Sequence, residues 1–201
     1  MIKVMKMESF EKKAQTLIND YQIPGTSVGI AQDGDIVYEK GFGYRNIALK
    51  KPVTMDTVFG IASVSKSFTC VAIMHLQEAG KLHVHDPVMK HLPEFKTKTD
   101  ATEKITIHHL MTHSAGLPPL PTLFYANKEN IKRDPSARDY PGVDFKNVNY
   151  DKPLDTYEQL LEFIGELDFD LLGEPGQEFS YSNDSYALLG AIIDRVSGKT
   201  Y

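Results

Sequence analysis

Residues 59–70, Phe-Gly-Ile-Ala-Ser-Val-Ser-Lys-Ser-Phe-Thr-Cys, set Ser63 three positions before Lys66, where an apolar run gives way to a helical pattern. On a helix that interval is about one turn, so the two side chains project from the same face. A serine hydroxyl is a poor nucleophile at neutral pH unless a base takes its proton, and a lysine serves only if burial or nearby positive charge lowers its pKa. The spacing alone does not settle the matter. Ser9 and Lys12 have it too, and a helix-capping serine followed by a solvated lysine fits it equally well.

The surroundings narrow the choice. Upstream, Phe10, Ala14, Leu17, Ile18 and Tyr21 recur at helical intervals, which predicts an amphipathic helix over 8–21. Ser9 then belongs to the polar start of that helix, as its N-cap, and Ile23-Pro24-Gly25 ends it. Two β-rich runs, TSVGIAQ and DIVYEKGFGYRN, flank Asp33-Gly34 and predict a hairpin over 26–44. A third extended piece, TVFGIAS, leads into Ser63. The spacing predicts a helix over 64–79, with Phe68, Val71, Ala72, His75 and Leu76 along one side and Gly80 as its stop. That helix is mostly apolar and is expected in the middle of the domain.

Downstream the pattern is largely helical. Asp86-Pro87 reads as an N-cap and first residue of a short helix, Thr106 opens ITIHHLMTH, and Asp155 with Glu158 forms a capping-box pattern before Leu160, Leu161, Ile164 and Leu167. Residues 117–154 lack periodicity, as a functional loop or an insertion would. After the turn Gly173-Glu174-Pro175-Gly176, Ser182 can cap a helix over 183–197, with Tyr186, Leu189, Ile193 and Val196 on one face and Gly198 as its stop. The fold class that follows is mixed α/β (α+β), an antiparallel sheet flanked by a helical region within a single domain over 1–201, residues 1–60 supplying helix and hairpin and 61–201 the helical part.

Composition bounds the function. Apolar residues make up 41% and charged residues 24% of the 201, as in a soluble globular protein. The net charge of −5 gives no reason to expect a nucleic-acid partner. A single cysteine, Cys70, rules out an intrachain disulfide, and no apolar run has transmembrane length. With no leader-like N-terminus the chain is expected to be cytoplasmic, unless a leader segment has been removed. His109 and His113 are four apart on the expected helix, but no acidic ligand motif accompanies them, and no metal is expected. His83-Val84-His85-Asp86 is a similarly weak metal pattern. Cys70, one turn beyond Lys66, reads as a small buried hydrophobe.

Tyr181-Ser182-Asn183 is the second candidate element. Tyr44-Arg45-Asn46 and Tyr125-Ala126-Asn127 share its form, but only 181–183 stands between a turn and a strongly apolar helix. A tyrosine there can exchange a proton with a lysine, and the asparagine amide can orient a carbonyl. A capping Ser182 with Tyr181 packed at the helix edge remains the plainer alternative.

Ser63-Val64-Ser65-Lys66 followed by Tyr181-Ser182-Asn183 resembles the serine β-lactamase and penicillin-binding-protein superfamily, and within it the branch of class C β-lactamases, D,D-peptidases and related esterases. GFGYRN, VFGIASVSKSFT, HLMTHSAGLP and EPGQEFSYSNDSYALLGAIIDRVSGKTY resemble stretches of that family in its order, over essentially the whole chain. The resemblance implies a β-lactamase/transpeptidase-like fold and a serine hydrolase acting through an acyl-enzyme on an amide or ester: a β-lactam, a D-Ala-D-Ala-type peptide or a small ester. Ser63 would be the nucleophile, Lys66 and Tyr181 would manage the proton, Asn183 would bind substrate, and no cofactor or metal would be needed. A small molecule or peptide is the partner implied.

One family element is not found in these 201 residues. The resemblance implies a Lys/His-x-Gly motif on a later strand, whereas Gly198-Lys199-Thr200 sits at a helix C-cap. The later strands are not identified either, so the chain looks like the N-terminal portion of a longer protein, with an unpaired hairpin edge and weak or no turnover by itself. A non-catalytic relative that binds a ligand or partner is the alternative function.

Overall fold

The computed structural model describes residues 7–120, 122 and 154–201. The chain divides into two compact units, Met1–Ile61 and Ala62–Tyr201.

In the first unit, α1 (Glu8–Asp20) carries Glu8 and Glu11 in its first turn, where the helix dipole favours acidic groups. Met7 stands at its N-cap and no side chain caps it, so Ser9 lies inside the first turn, two residues too late for the expected role. Glu11 accepts hydrogen bonds from Tyr38 Oη at 3.2 Å and Lys40 Nζ at 2.5 Å, and Phe10 meets the Tyr38 ring edge-on at 5.7 Å. These contacts pin the helix to a hairpin. That hairpin is β1 (Gly25–Gln32) antiparallel to β2 (Asp35–Asn46), and both turn residues, Asp33 and Gly34, have positive φ, 54° and 89°. Asp-Gly supplies this pair of left-handed conformations at little cost, and their twist matches that of the strands.

A two-residue strand, β3 (Lys51–Pro52), pairs with the end of β2, giving the order β1-β2-β3. The expected extended piece before Ser63 joins no strand: residues 57–61 are without regular structure. β-branched and aromatic residues favour a strand only where a partner edge is available, and β2 pairs with 51–52 instead. β1 is an open edge among the described residues.

The second unit is helical: α2 (Ser65–Glu78), α3 (Val88–His91), α4 (Ile107–Met111), α5 (Tyr157–Glu166) and α6 (Asn183–Ser197). In α6 the residues Leu188, Leu189, Ala191, Ile192 and Ile193 are all buried, a stripe wide enough for a central helix. It packs against α2, α3, α4 and α5. Ile73, Leu92, Phe95, Ile105, Ile107, Leu110, Ile164 and these α6 residues form one core, each large side chain contributing about 1.5–3 kcal/mol by leaving water.

Caps set the helix ends. Ser182 Oγ accepts from Ser185 N at 3.1 Å, and Gly198 closes α6 in the left-handed region. Thr106 caps α4 in a reciprocal box with His109. At α5 the box is formed by Thr156 and Gln159, one position after the expected Asp155 and Glu158, because the Gln159 amide oxygen reaches back to accept from the Thr156 and Asp155 N–H groups. At α3 Pro87 occupies the N-cap. The Asp86 carboxylate instead accepts from His83 N in the preceding turn and from the Lys90 and His91 side chains of α3.

α2 corrects the expected burial. Its core face is Thr69, Ile73 and Leu76, whereas Val64, Phe68 and Val71 are 60%, 64% and 67% exposed. An apolar helix offers two apolar sides, so periodicity cannot choose between them. Only the position of α6 does. The non-periodic segment 117–154 falls mostly outside the described residues.

Candidate active site

Ser63 lies in a single 3₁₀ turn, Ala62–Val64, immediately before α2. Val64 holds the N-cap position and no side chain caps the helix, so the serine is not spent on capping. Ala62 has φ 45°, a left-handed backbone that is costly for alanine. Lys66 follows in the first turn of α2.

The four residues of interest meet. Lys66 Nζ donates to Ser63 Oγ at 3.2 Å and to Asn183 Oδ1 at 2.8 Å. Tyr181 Oη donates to Ser63 Oγ at 2.6 Å. Lys66 Nζ also lies 4.9 Å from the centre of the Tyr181 ring and 5.4 Å from that of Tyr186, within cation–π range. The Lys66 ammonium and the hydrogen bond to Ser63 hold the Tyr181 phenol below its ordinary value, against the opposing effect of burial. Tyr181 itself is 44% exposed. A cavity of about 530 Å³ is lined by Asn183, Tyr157, Ala187 and Tyr201, but not by Ser63, Lys66 or Tyr181. Ser63 and Tyr181 are exposed and Lys66 is half-buried, and Asn183 belongs both to this group and to the cavity lining.

Tyr181-Ser182-Asn183 is held in place by the chain that leaves α4. Gly176 N donates to Ser114 O at 2.7 Å, Ser180 N to His113 O at 2.8 Å, and Ser180 Oγ to Leu117 O at 2.8 Å. Tyr186 Oη donates to Met111 O at 2.8 Å and lies 3.2 Å from Cys70 Sγ. Burial, and then Cys70, push the Tyr186 phenol upward. Cys70 is half-buried rather than a core residue. At Gly116, φ is 76° and a Cβ would fall 2.5 Å from Gly173 O, so only glycine allows the two segments to approach this closely.

His109 and His113 do not share a helix face, because α4 stops at Met111 and His113 has φ 57°. His109 Nδ1 accepts from Thr106 N at 3.3 Å and His113 Nδ1 accepts from Ser182 N at 3.1 Å. Sequence reasoning weighed His113 only as a metal ligand and missed its tie to Ser182. The available signal was its position just past a helix end, where a ring nitrogen can reach across to another segment. Asp184, next to Asn183, is buried, accepts from Leu120 N at 3.3 Å, and leaves its other oxygen without a partner among the described residues. Burial raises its carboxyl to about 6.

The β-lactamase family model matches residues 10–201. The chain belongs to the β-lactamase family. Among curated relatives in this family, penicillin-binding protein 4* of Bacillus subtilis (strain 168) is 31% identical over 200 residues, which is 100% of this chain and 38% of the relative. Protein flp of Staphylococcus aureus (strain MRSA252) is 32% identical over 180 residues, 89% of this chain and 31% of the relative. Among solved structures, the octameric penicillin-binding protein homologue from Pyrococcus abyssi superposes with a TM-score of 0.74 at 35% identity, covering 98% of this chain and 40% of that one. A class C β-lactamase at 22% identity and TM-score 0.70, covering 97% of this chain and 45% of that one, shares the fold. The chain thus spans less than half the length of these β-lactamase-family proteins. No helix among the described residues is long and apolar enough to cross a membrane.

Proposed function

We propose that Ser63 is the nucleophile of a serine hydrolase that acts through an acyl-enzyme on an amide or ester. One observation carries the reading: Ser63 Oγ accepts hydrogen bonds from both Tyr181 Oη at 2.6 Å and Lys66 Nζ at 3.2 Å. Two donors on one hydroxyl oxygen leave no acceptor for the serine proton, so one donor must first give up its own. Tyr181 is the better candidate, because the Lys66 ammonium stabilises its phenolate.

In the acylation step Ser63 Oγ bonds to the carbonyl carbon and its proton passes to Tyr181. The bond from that carbon to the leaving nitrogen or oxygen then breaks, and Tyr181 delivers the proton to the departing atom. Water attacks the resulting ester by the reverse proton path and regenerates Ser63. Lys66, with Asn183 as its second acceptor, is held beside these atoms. Asn183 is assigned to the substrate's acyl-side amide, and the substrate class is a β-lactam, a D-Ala-D-Ala-type peptide or a small ester. Penicillin-binding relatives and a related hydrolase, EstCE1, at 31% identity, support that range.

For the 201-residue chain taken alone, the unidentified Lys/His-x-Gly motif favours acylation without rapid turnover. Loss of one oxyanion donor costs about 100- to 1,000-fold. The test is incubation with a fluorescent penicillin and with a fluorophosphonate, followed by mass spectrometry. Covalent mass gain at Ser63 that disappears in Ser63→Ala is the expected result. No gain with either reagent would favour a non-catalytic ligand-binding relative.

A further inference from the structure

The residue on either side of Tyr181 is tied to the same partner. His113 O accepts from Ser180 N at 2.8 Å, and His113 Nδ1 accepts from Ser182 N at 3.1 Å. The imidazole also stacks on the Tyr181 ring, with centroids 4.5 Å apart and planes inclined by 33°, and on the Tyr186 ring at 5.0 Å. Phe179 closes the edge at 5.8 Å. A tyrosine whose two neighbours are tied to the main chain and the side chain of one residue, and whose ring rests on that residue's imidazole, has little freedom to turn away from Ser63. That is the arrangement expected of the third group that orients a proton carrier.

We infer that His113 is a positioning residue, holding Tyr181 toward Ser63 as a neutral imidazole with Nδ1 unprotonated and Nε2 carrying the hydrogen; this rests on the reading of Tyr181 as the proton carrier. The tautomer follows from the partner, since a backbone N–H can only donate. Protonating Nδ1 would set two donors against each other and release Ser182. It would also place a second positive charge near Lys66. The groups facing the imidazole are Lys66 from α2, whose Nζ lies over both tyrosine rings, Tyr181, Tyr186 from α6, and Cys70 through Tyr186. The Asp184 carboxylate, two residues beyond Ser182, accepts from Ser182 Oγ at 3.5 Å. Burial and the Lys66 charge both hold the imidazole below its ordinary value, in keeping with the neutral state.

Two variants separate positioning from packing. His113→Asn keeps an acceptor and suits the left-handed φ of 57°, which asparagine tolerates. His113→Leu removes the acceptor. The rate of fluorophosphonate labelling at Ser63 is measured from pH 4 to 8, with far-UV circular dichroism as a check on folding. Wild type is expected to lose rate in proportion to proton concentration near neutrality, as phenolate is lost. Below the His113 midpoint it is expected to fall about twice as steeply on a logarithmic scale. His113→Asn keeps the shallow slope throughout and labels within about threefold of wild type at pH 7.5. His113→Leu labels at least about tenfold more slowly there.

Wild-type labelling rates in His113→Leu, or a steep acid limb retained in His113→Asn, overturns the inference. An Nδ1–H tautomer in ¹⁵N-histidine NMR of the wild-type chain does the same, whether or not the leucine variant folds. If wild type does not label, the nucleophile reading fails separately. The His113 inference is then decided by ¹³Cζ-tyrosine NMR: a Tyr181 midpoint displaced in His113→Leu and unchanged in His113→Asn upholds it, and any other pattern rejects it.

Discussion

Lys66 Nζ donates to Asn183 Oδ1 at 2.8 Å although they are 117 positions apart in the chain. This contact joins the first turn of α2 to the first residue of α6 and completes the set of groups around Ser63. Replacing Lys66 by alanine removes the charge that supports the Tyr181 phenolate. Labelling of Ser63 by a fluorophosphonate is expected to fall by about 100-fold or more. Lys66→Arg should not restore it, since a planar guanidinium cannot fill the site of a compact ammonium shared by two oxygens. Restoration by arginine would show that charge alone suffices.

The Tyr181 titration follows from the same pair. Its phenol is held below the ordinary value first by Lys66 and then by Ser63. The phenolate fraction therefore grows at lower pH than for a free tyrosine. In ¹³Cζ-tyrosine NMR, the Tyr181 midpoint should rise in Lys66→Ala and rise less in Ser63→Ala. The opposite ranking would mean that the hydroxyl, not the ammonium, tunes this group.

Asp184 makes stability depend on pH in a definable direction. Burial raises its folded-state carboxyl from 3.8 to about 6, so between these values the folded protein holds a proton that the unfolded chain has released. Stability is then greatest below the lower value and declines as pH rises through the upper one. At about 1.4 kcal/mol per pH unit the effect is at most about 3 kcal/mol. Asp184→Asn keeps the acceptor for Leu120 N. It should stabilise the chain at pH 7 by about 1–3 kcal/mol and flatten the slope in urea unfolding between pH 4 and 6. An unchanged slope would remove Asp184 from this account.

Gly116→Ala tests the junction that carries Tyr181. The added methyl meets Gly173 O at 2.5 Å on a backbone with φ 76°, and alanine is strained there even without the clash. A loss of about 2 kcal/mol or more in the urea midpoint is expected, together with slower labelling of Ser63. Unaltered stability would mean that the 116–173 approach is not needed.

The outer face of α2 gives a fifth test. Val64, Phe68 and Val71 recur along one side and are each at least 60% exposed. The 201-residue chain should bind an apolar dye such as ANS, and Phe68→Glu with Val71→Lys should abolish most of that signal without lowering the thermal midpoint. Persistent dye binding would place the apolar surface elsewhere.

How much of this is legible without coordinates depends on the range of the interactions. α6 begins and ends where its sequence says, because a serine cap and a glycine stop act over three or four residues. The Asp33-Gly34 hairpin is legible for the same reason, its two left-handed residues being set by their own chemistry. The exposed side of α2 and the unpaired 57–61 segment were not legible, since burial and strand pairing depend on partners far along the chain. Ser63, Lys66, Tyr181 and Asn183 can each be picked out by residue type and setting. Their convergence, with Ser63 and Tyr181 118 positions apart in sequence, and the place of His113 beneath it, are decided by tertiary packing. Local sequence determined which groups are chemically able to react, while the helices packed around α6 decided which of them come within a hydrogen bond of each other.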